Sequence, residues 1–307
     1  MRTKILLAVN CGLILALAAG SRQFRSAANV VVLIDNLALE TIMLSALTLL
    51  LVGGLFDLSC DGVTALAGIV AGEIMDAGGS PVIGIAAALG AGALFGLVNG
   101  WAVNKWRLNP LMVTLATWWI AVGATYGITK ALSPYGFPQW FLRLGQARLL
   151  GLRIFVFYAV AIVLVWSFML HKTVVGRHIY AIGGNRRAAE LCGIRADNLG
   201  IGLYVQASLL AAFIGIVMAA RINAAAPQAV DGMNLRVIAG AVIGGCALSG
   251  GRGSIFAGLL GLVLMSVLSN AAILLHISPY WQRALIGGVL FIAIATERFG
   301  RKNTNGG

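Results

Sequence analysis

Long apolar runs separated by short polar stretches dominate the pattern of hydrophobic and polar positions along the chain. About 20 helical residues cross a bilayer core that is about 30 Å thick, and most of the runs approach this length. The pattern therefore predicts an all-α polytopic membrane protein with about ten transmembrane helices, forming one transmembrane domain over residues 1–307. The predicted spans lie near 5–20, 34–53, 58–75, 82–102, 111–132, 154–170, 199–220, 236–248, 254–272 and 281–296.

The first run follows Met1, Arg2 and Lys4 and resembles a signal peptide. A small-residue cleavage site leading into a polar segment does not follow it, so we expect it to be retained as the first span. An even number of spans places both termini on one side of the membrane. Lysine and arginine are more numerous on that side of the predicted topology, which predicts that the N-terminus and the C-terminus are cytoplasmic.

Composition indicates lipid as the solvent of most of the chain. Only 10% of the residues are charged and 60% are hydrophobic, whereas soluble proteins have about 25% charged residues. The net charge of +12 is typical of basic loops held at a membrane surface, so no nucleic-acid partner is expected. The four cysteines are scattered without metal-ligand spacing, so we expect neither a disulfide framework nor a metal site.

Two glycine-rich stretches of the chain resemble each other. GGLFDLSCDG (53–62) and GGCALSGGRG (244–253) both open with a glycine pair, contain Leu-Ser and are followed shortly by Ala-Gly. An internal duplication is one explanation, because transporter folds are often built from repeats. Coincidence in a chain with 40 glycines is the other.

One polar stretch, residues 171–198, interrupts the apolar pattern and lies on the cytoplasmic side of the predicted topology. Within it, Asn185 is predicted to cap a two-turn helix that runs from Arg186 to Cys192, and Gly193 to end it in the left-handed region. So short a helix is marginal by itself in water. A partner protein that packs against this short helix would explain why it forms. The alternative is that the stretch is an ordinary solvated loop.

The sequence GRHIYAIGGNRRAAELCGI (176–194) resembles the cytoplasmic loop of bacterial ABC-importer permeases of the ribose, xylose and arabinose type, a family that includes autoinducer-2 permeases. In that family the loop carries the coupling helix on which the ATP-binding subunit docks. The resemblance implies this role for Gly176, Arg177, Tyr180, Gly183, Gly184, Asn185, Ala188, Ala189, Leu191, Gly193 and Ile194.

Further stretches of the chain resemble the family and occur in the same order as in the family, over about residues 29–296. They are Phe-Asp-Leu-Ser (56–59), Asn99-Gly100, Asn-Pro-Leu-Met-Val-Thr-Leu (109–115), the segment 238–253 and Asn270. The chain departs from the family pattern in the region expected to line the translocation path, which leaves the identity of the solute open. These departures are Leu55, Asp61, Tyr126, Asn234 and Arg236.

The resemblance implies a type II-like importer permease that carries a ribose-like pentose, a hexose or a related small polar solute across the bacterial inner membrane. The implied partners are an ABC ATPase subunit, a second permease subunit (identical or related), an extracytoplasmic solute-binding protein and membrane lipid. We expect no catalytic residues and no cofactor bound by this chain. ATP and Mg²⁺ belong to the ATPase subunit, in keeping with the lack of a GxxxxGK[ST] loop in the sequence.

Polar residues inside the predicted spans are candidates for the solute path. Because a carboxylate at the membrane centre costs about 2.5–3.5 kcal/mol, Asp57 is expected to line or gate the path together with Ser59, or else to cap a broken helix. Neutral side chains are expected either to bind solute hydroxyls or to hold helices together. These are Asn99, Thr114, Thr117, Asn234 and Asn270.

The competing hypothesis is a self-contained secondary transporter in which Asp57, Asp61 or Glu40 carries protons. Proton coupling normally uses ionisable residues deep inside spans, whereas these acids lie mostly near the predicted span ends. The amphipathic helix of residues 171–198 would also have no partner to meet.

Overall fold

The computed structural model describes residues 2–130 and 132–278, together with positions 281, 284, 287, 288 and 291. These residues are predominantly helical, which confirms the all-α membrane class. The predicted tenth span, 281–296, lies almost entirely outside the described residues. The count of ten spans and the cytoplasmic placement of both termini therefore stay predictions.

The described helices alternate with short connections, except for one longer segment between α5 and α7. The helices are α1 (Arg2–Gly20), α2 (Ala27–Val52), α3 (Cys60–Asp76), α4 (Pro81–Asn104), α5 (Pro110–Thr129), α6 (Gln139–Gln146), α7 (Ile154–Lys172), α8 (Val174–Leu191), α9 (Ala196–Ile222), α10 (Met233–Gly244) and α11 (Ile255–Leu274). A hairpin of β1 (Arg148–Leu149) and β2 (Leu152–Arg153) follows α6, and a 3₁₀ turn, Pro227–Val230, precedes α10.

Seven of the described helices are long and apolar enough to cross a membrane, namely α1, α2, α4, α5, α7, α9 and α11. Helix α3 has 17 residues and α10 has 12, so each is shorter than the roughly 20 residues of a full span. The apolar pattern predicts no element for α6, for the hairpin or for the first half of α8. It also starts the second span near 34, whereas α2 begins at Ala27.

Local capping chemistry sets several of the helix starts. Ser26 accepts a hydrogen bond from the Asn29 N–H at 3.2 Å, which begins α2 ahead of its apolar run. Asn109 accepts a hydrogen bond from the Leu111 N–H at 2.9 Å, and Pro110 occupies the first position of α5. Proline suits that position because its missing N–H would have no partner there.

Helix α9 is the centre of the bundle and packs against α2, α3, α4 and α6. Its contact with α4 follows glycines spaced four residues apart. A Cβ atom at Gly92 would lie 2.6 Å from the Ala212 Cβ, one at Gly96 2.6 Å from the Val205 Cα, and one at Gly100 2.8 Å from the Ile201 Cα. Small residues at this spacing let the two backbones approach each other, and dispersion contacts then hold the helices together.

The C-terminal half of α2 is buried on every side by α7, α9, α10 and α11. In contrast, α1, α4, α5 and α7 keep large apolar side chains on their outer surfaces, such as Trp119, Phe168 and Leu94. Buried inner helices combined with apolar side chains on the outer surfaces are the arrangement expected of a bundle whose solvent is lipid.

We predict that Gly96→Ala destabilises the bundle, because its methyl group meets the backbone of α9. Overpacking of this kind costs about 1–3 kcal/mol. The matched control is Gly90→Ala in the same helix, where a Cβ atom has nothing within 4 Å. The measurement is the unfolding midpoint of the purified protein in a detergent titration. Equal midpoints for the two variants would contradict direct contact between the α4 and α9 backbones.

Candidate functional site

The polar stretch at 171–198 folds as a bent helix, α8, followed by a turn. Asn185 leaves the helical region (φ −156°, ψ 99°) and divides α8 into two parts. Its Oδ1 accepts a hydrogen bond from the Ala188 N–H at 3.0 Å, as expected of an N-cap. Gly193 adopts φ +84° just after the helix ends. The predicted cap and stop are thus confirmed, although the second part ends at Leu191, one residue earlier than predicted.

Arg186 anchors the second part of α8 to the ends of two spanning helices. Its guanidinium donates to Asp197 Oδ1 of α9 at 2.7 Å and to Asn104 Oδ1 of α4 at 3.0 Å. It also pairs with Glu190 one turn along α8, at 3.1 Å. A bidentate or branched arginine of this kind fixes geometry more firmly than a single surface ion pair does.

Two further bases after α4 join the same network. Lys105 lies 3.3 Å and Arg107 3.2 Å from the carboxylate of Asp197, and Arg107 also reaches Glu190 at 3.4 Å. Three bases therefore share two acids. This network ties the second part of α8 to the ends of α4 and α9.

The two alanines of α8 that the resemblance assigns to one role lie in different environments. Ala189 is buried in a small apolar cluster with Ile182 and Ala196, while Ala188 is exposed. Leu191 is 85% exposed. The outer face of α8, by which we mean Asn185, Arg187, Ala188 and Leu191, is therefore not covered by the described residues. The expectation that Ala189 shares this surface needs correction, because its side chain is used inside the chain.

Other residues implied by the resemblance also have contacts within the chain. Gly176 packs against the Leu170 carbonyl, and Gly183 against the Val52 carbonyl, so closely that neither has room for a Cβ atom. Ile194 packs beside Ala189 and Ala196. Arg177, Gly184 and Gly193 are exposed.

Tyr180 connects the first part of α8 to the loop before α11. Its O–H donates to the Gly253 carbonyl at 2.7 Å. Burial raises the pKa of this hydroxyl above its ordinary value of 10.0, so the group keeps the proton that it donates.

Four of the seven predicted path residues meet in one buried group, the polar cluster of Asp57, Ser59, Asn99 and Asn234. Asp57 Oδ1 accepts from the Ser59 N–H at 2.7 Å and from its hydroxyl at 2.6 Å, and the Asn99 amide donates to the Ser59 Oγ at 2.9 Å. The Asn234 amide donates to the Asp57 carbonyl at 3.2 Å. Residues from α4, α10 and the segment before α3 thus converge on one point.

The polar cluster has spare hydrogen-bond acceptors. Within the described part of the chain, Asp57 Oδ2, Asn99 Oδ1 and Asn234 Oδ1 receive no N–H or O–H donor. Each buried acceptor without a donor costs about 1–3 kcal/mol. The cluster is therefore suited to a ligand that brings hydroxyl donors.

The remaining three path candidates have partners elsewhere. Thr114 and Thr117 donate to the Pro110 and Val113 carbonyls of their own helix, at 2.8 and 3.1 Å. Asn270 exchanges hydrogen bonds with Asn29 at 2.8 and 3.1 Å. These contacts correspond to the structural role that the sequence left open for them.

The departures from the family pattern are largely neighbours in space. Asp61 accepts a hydrogen bond from the Asn234 N–H at 2.9 Å. Arg236, two residues further along α10, lies 3.4 Å from Glu40 Oε1, and the Ser266 hydroxyl donates to Glu40 Oε2 at 2.6 Å. Sequence analysis missed the Glu40–Arg236 pair. The available signal was Arg236 itself, a base among the departures from the family pattern.

The other two departures lie apart from this group. Leu55 is buried in the main core, and the Tyr126 hydroxyl accepts a hydrogen bond from the Gln228 amide at 2.9 Å.

The described residues thus form a multi-pass helical bundle with a buried polar cluster and a polar, anchored helix outside its candidate spans. The family model described as "branched-chain amino acid transport system / permease component" matches residues 29–294, and the chain belongs to this family. It is accordingly a multi-pass protein of the bacterial inner membrane and the permease component of a transport system, not an enzyme.

Curated relatives match the chain over most of its length. It is 34% identical to the ribose import permease protein of Escherichia coli strain K12, covering 90% of this chain and 88% of that protein. It is 32% identical to the L-arabinose ABC transporter permease protein of Azospirillum brasilense, covering 88% and 78%. The D-allose transport system permease protein of Escherichia coli strain K12 is 34% identical over 81% of this chain and 76% of that protein. No solved structure matches the chain significantly.

We predict that Arg186→Gln loosens the second part of α8, because it removes the contacts to Asp197, Asn104 and Glu190. Hydrogen exchange of the amides in 186–191 should rise roughly two- to fivefold, which corresponds to about 0.5–1 kcal/mol for a partly exposed ion pair. Arg187→Gln is the control, since Arg187 makes no ion pair with the described residues. Equal exchange in the two variants would show that the network does not hold α8.

Proposed function

We propose that this chain is the membrane-spanning subunit of an ABC importer that carries a sugar-like, hydroxyl-bearing solute and is powered by a separate ATPase subunit. The observation that carries the proposal is the second part of α8. It is capped by Asn185, anchored by Arg186, and exposes Ala188 and Leu191 without a covering element among the described residues. The permease relatives for ribose, arabinose and allose support the solute class.

In this proposal the ATPase subunit docks on the outer face of α8. Helix α8 is not among the candidate membrane spans, and in this proposal its exposed Leu191 side chain lies in the cytoplasm, where the ATPase subunit covers it. Covering an exposed leucine stabilises a complex by about 1.5–3 kcal/mol. The ion-pair network of Arg186 fixes this face to α4 and α9, so that the ATPase subunit can displace these helices when it moves. Free energy enters through this contact, since we propose that the chain itself binds no cofactor.

The polar cluster is the proposed part of the solute path. Its spare acceptors on Asp57, Asn99 and Asn234 suit the hydroxyl groups of a sugar, which are hydrogen-bond donors. Because the cluster is fully buried in this structure, solute reaches it only after neighbouring segments move. An importer fed by a binding protein also needs only weak contacts with its cargo, and an unclosed set of acceptors provides such contacts.

A complete importer of this kind also contains a second permease subunit, identical or related, and an extracytoplasmic solute-binding protein. Family membership supports these partners. The apolar outer surfaces of α4 and α5 are available to lipid and to a second permease.

The secondary-transporter alternative is less well supported by the contacts of the acidic residues. Glu40 is paired with Arg236 and bonded to Ser266, and Asp61 accepts from the α10 backbone. Both acids are therefore held by partners inside the chain, and the relatives that are import permeases favour the importer over this alternative.

We predict that solute uptake into proteoliposomes requires the ATPase subunit and ATP, and that it persists when the proton gradient is collapsed. The reason is that the proposed energy input is the docking contact on α8. The measurement is uptake of labelled ribose, arabinose or allose, supplied with the binding protein, in the presence and absence of an uncoupler. Uptake by this chain alone under a pH gradient would refute the proposal.

We predict that Ala188→Trp abolishes co-purification of the ATPase subunit while leaving membrane insertion and thermal stability unchanged, because the new side chain projects from the outer face of α8. Ala189→Trp should instead destabilise the segment, since Ala189 is buried. Val174→Trp, at an exposed position at the other end of α8, serves as the control. Retained ATPase binding by Ala188→Trp would place the docking site elsewhere.

A further inference from the structure

We propose that four glycines, Gly54, Gly183, Gly250 and Gly251, form a backbone contact that transmits movement of α8 to the polar cluster. We call this contact the glycine junction. It brings α8 together with the segment before α3 and the loop before α11. The inference rests on the proposed function, because it assigns to these glycines the positioning step between ATPase docking and the opening of the solute path.

The junction has no side chains between its backbones. A Cβ atom at Gly250 would lie 2.6 Å from the Gly183 carbonyl oxygen and 2.7 Å from the Gly54 Cα. A Cβ atom at Gly251 would lie 2.9 Å from the Gly184 Cα, and one at Gly183 would overlap the Val52 carbonyl. Three separate segments of the chain thus touch directly, at distances where even alanine does not fit.

Hydrogen bonds fix the same segments to one another. The Gly251 N–H donates to the Val52 carbonyl at 2.8 Å, which joins the loop before α11 to the end of α2. The Tyr180 hydroxyl donates to the Gly253 carbonyl at 2.7 Å, which joins that loop to α8. The first bond connects the loop before α11 to the end of α2, which leads directly into the segment before α3, and the second connects that loop to α8.

The backbone at the junction is in a conformation that favours glycine. Gly54, Gly250 and Gly251 have φ values of +71°, +83° and +73°, a region that other residues occupy at a cost. Glycine is therefore required for both the turn and the close contact. Side chains can absorb a displacement by changing rotamer, whereas backbones in van der Waals contact cannot, and a shift of α8 is passed on directly.

One loop at the junction runs into the polar cluster, and the other is connected to it through α10. Asp57 is three residues beyond Gly54, and the Tyr204 hydroxyl holds the intervening Phe56 carbonyl at 2.8 Å. The other loop follows α10, whose first turn supplies Asn234 to the cluster. These two loops are the stretches 53–62 and 244–253 that resemble each other in sequence. A displacement of α8 therefore reaches the cluster from two sides.

The test compares Gly183→Ala with Gly202→Ala in the complete importer, because a Cβ atom at Gly202 has nothing within 4 Å. Gly183→Ala should retain ATPase co-purification and ATP hydrolysis while solute transported per ATP falls by about tenfold, within the 5- to 150-fold range of typical couplings between sites. Gly202→Ala should match the wild type. Wild-type coupling in Gly183→Ala would overturn the inference.

Cys60 provides a readout that a merely structural role of the junction would not produce. It is fully buried beside the polar cluster. Its modification by N-ethylmaleimide, measured by mass spectrometry of its peptide, should speed up when ATP is added to the wild-type importer and stay unchanged in Gly183→Ala. Fast modification of the variant without ATP would indicate a loosened fold and would overturn the inference.

Tyr180→Phe keeps the test decisive if Gly183→Ala fails to fold. It preserves the ring and removes only the bond to the Gly253 carbonyl, so transport per ATP should fall in the same direction with ATPase docking retained. Unchanged coupling in Tyr180→Phe, with Gly183→Ala unfolded, would overturn the inference. If the wild-type importer itself shows no ATP-driven uptake, the proposed function fails and this inference fails with it.

Discussion

Lipid tails are as apolar as the side chains of this protein. Its helices therefore gain almost no hydrophobic free energy by burying those side chains against one another. Close approach of backbones takes the place of the hydrophobic effect. The contact between α4 and α9 depends on it, and so does the pairing of α10 with α11, where Gly240 and Gly261 pack against each other's helices. The positions of the polar groups follow from these glycine contacts, because they set which helix ends meet and which polar side chains are enclosed.

The same constraint brings the polar cluster and α8 close to each other in the fold. Asp57 and Asn234 come from segments that continue from, or lead into, loops of glycine. A loop of larger residues would hold these segments further apart, and the polar side chains of the cluster would then meet lipid or water instead of one another. The glycines in these loops thus have two effects: they let the loops contact each other closely, and they keep the polar groups enclosed.

Sequence alone predicted the features that are local. The Asn185 cap and the Gly193 stop depend on residues within one helical turn, and the apolar runs locate nine helices to within several residues at their ends. The start of α2 was missed because the Ser26 cap precedes a mixed stretch. The Glu40–Arg236 pair and the burial of Ala189 could not be predicted, since both depend on contacts with residues distant in the chain. The residues of the polar cluster, such as Asp57 and Asn99, were each predicted from the sequence. That they lie side by side could be seen only in the folded structure.

The division of α8 at Asn185 separates two kinds of surface on one helix. The part before it buries Gly176, Ile179 and Ile182 inside the chain, and the part after it carries the exposed side chains of Arg187, Ala188 and Leu191. We expect substitutions to be tolerated very differently on the two sides of this bend. If the ATPase subunit docks on this outer face, as proposed, exchange of the exposed residues changes the choice of ATPase without altering the polar cluster, so that specificity for the ATPase and specificity for the solute can evolve independently.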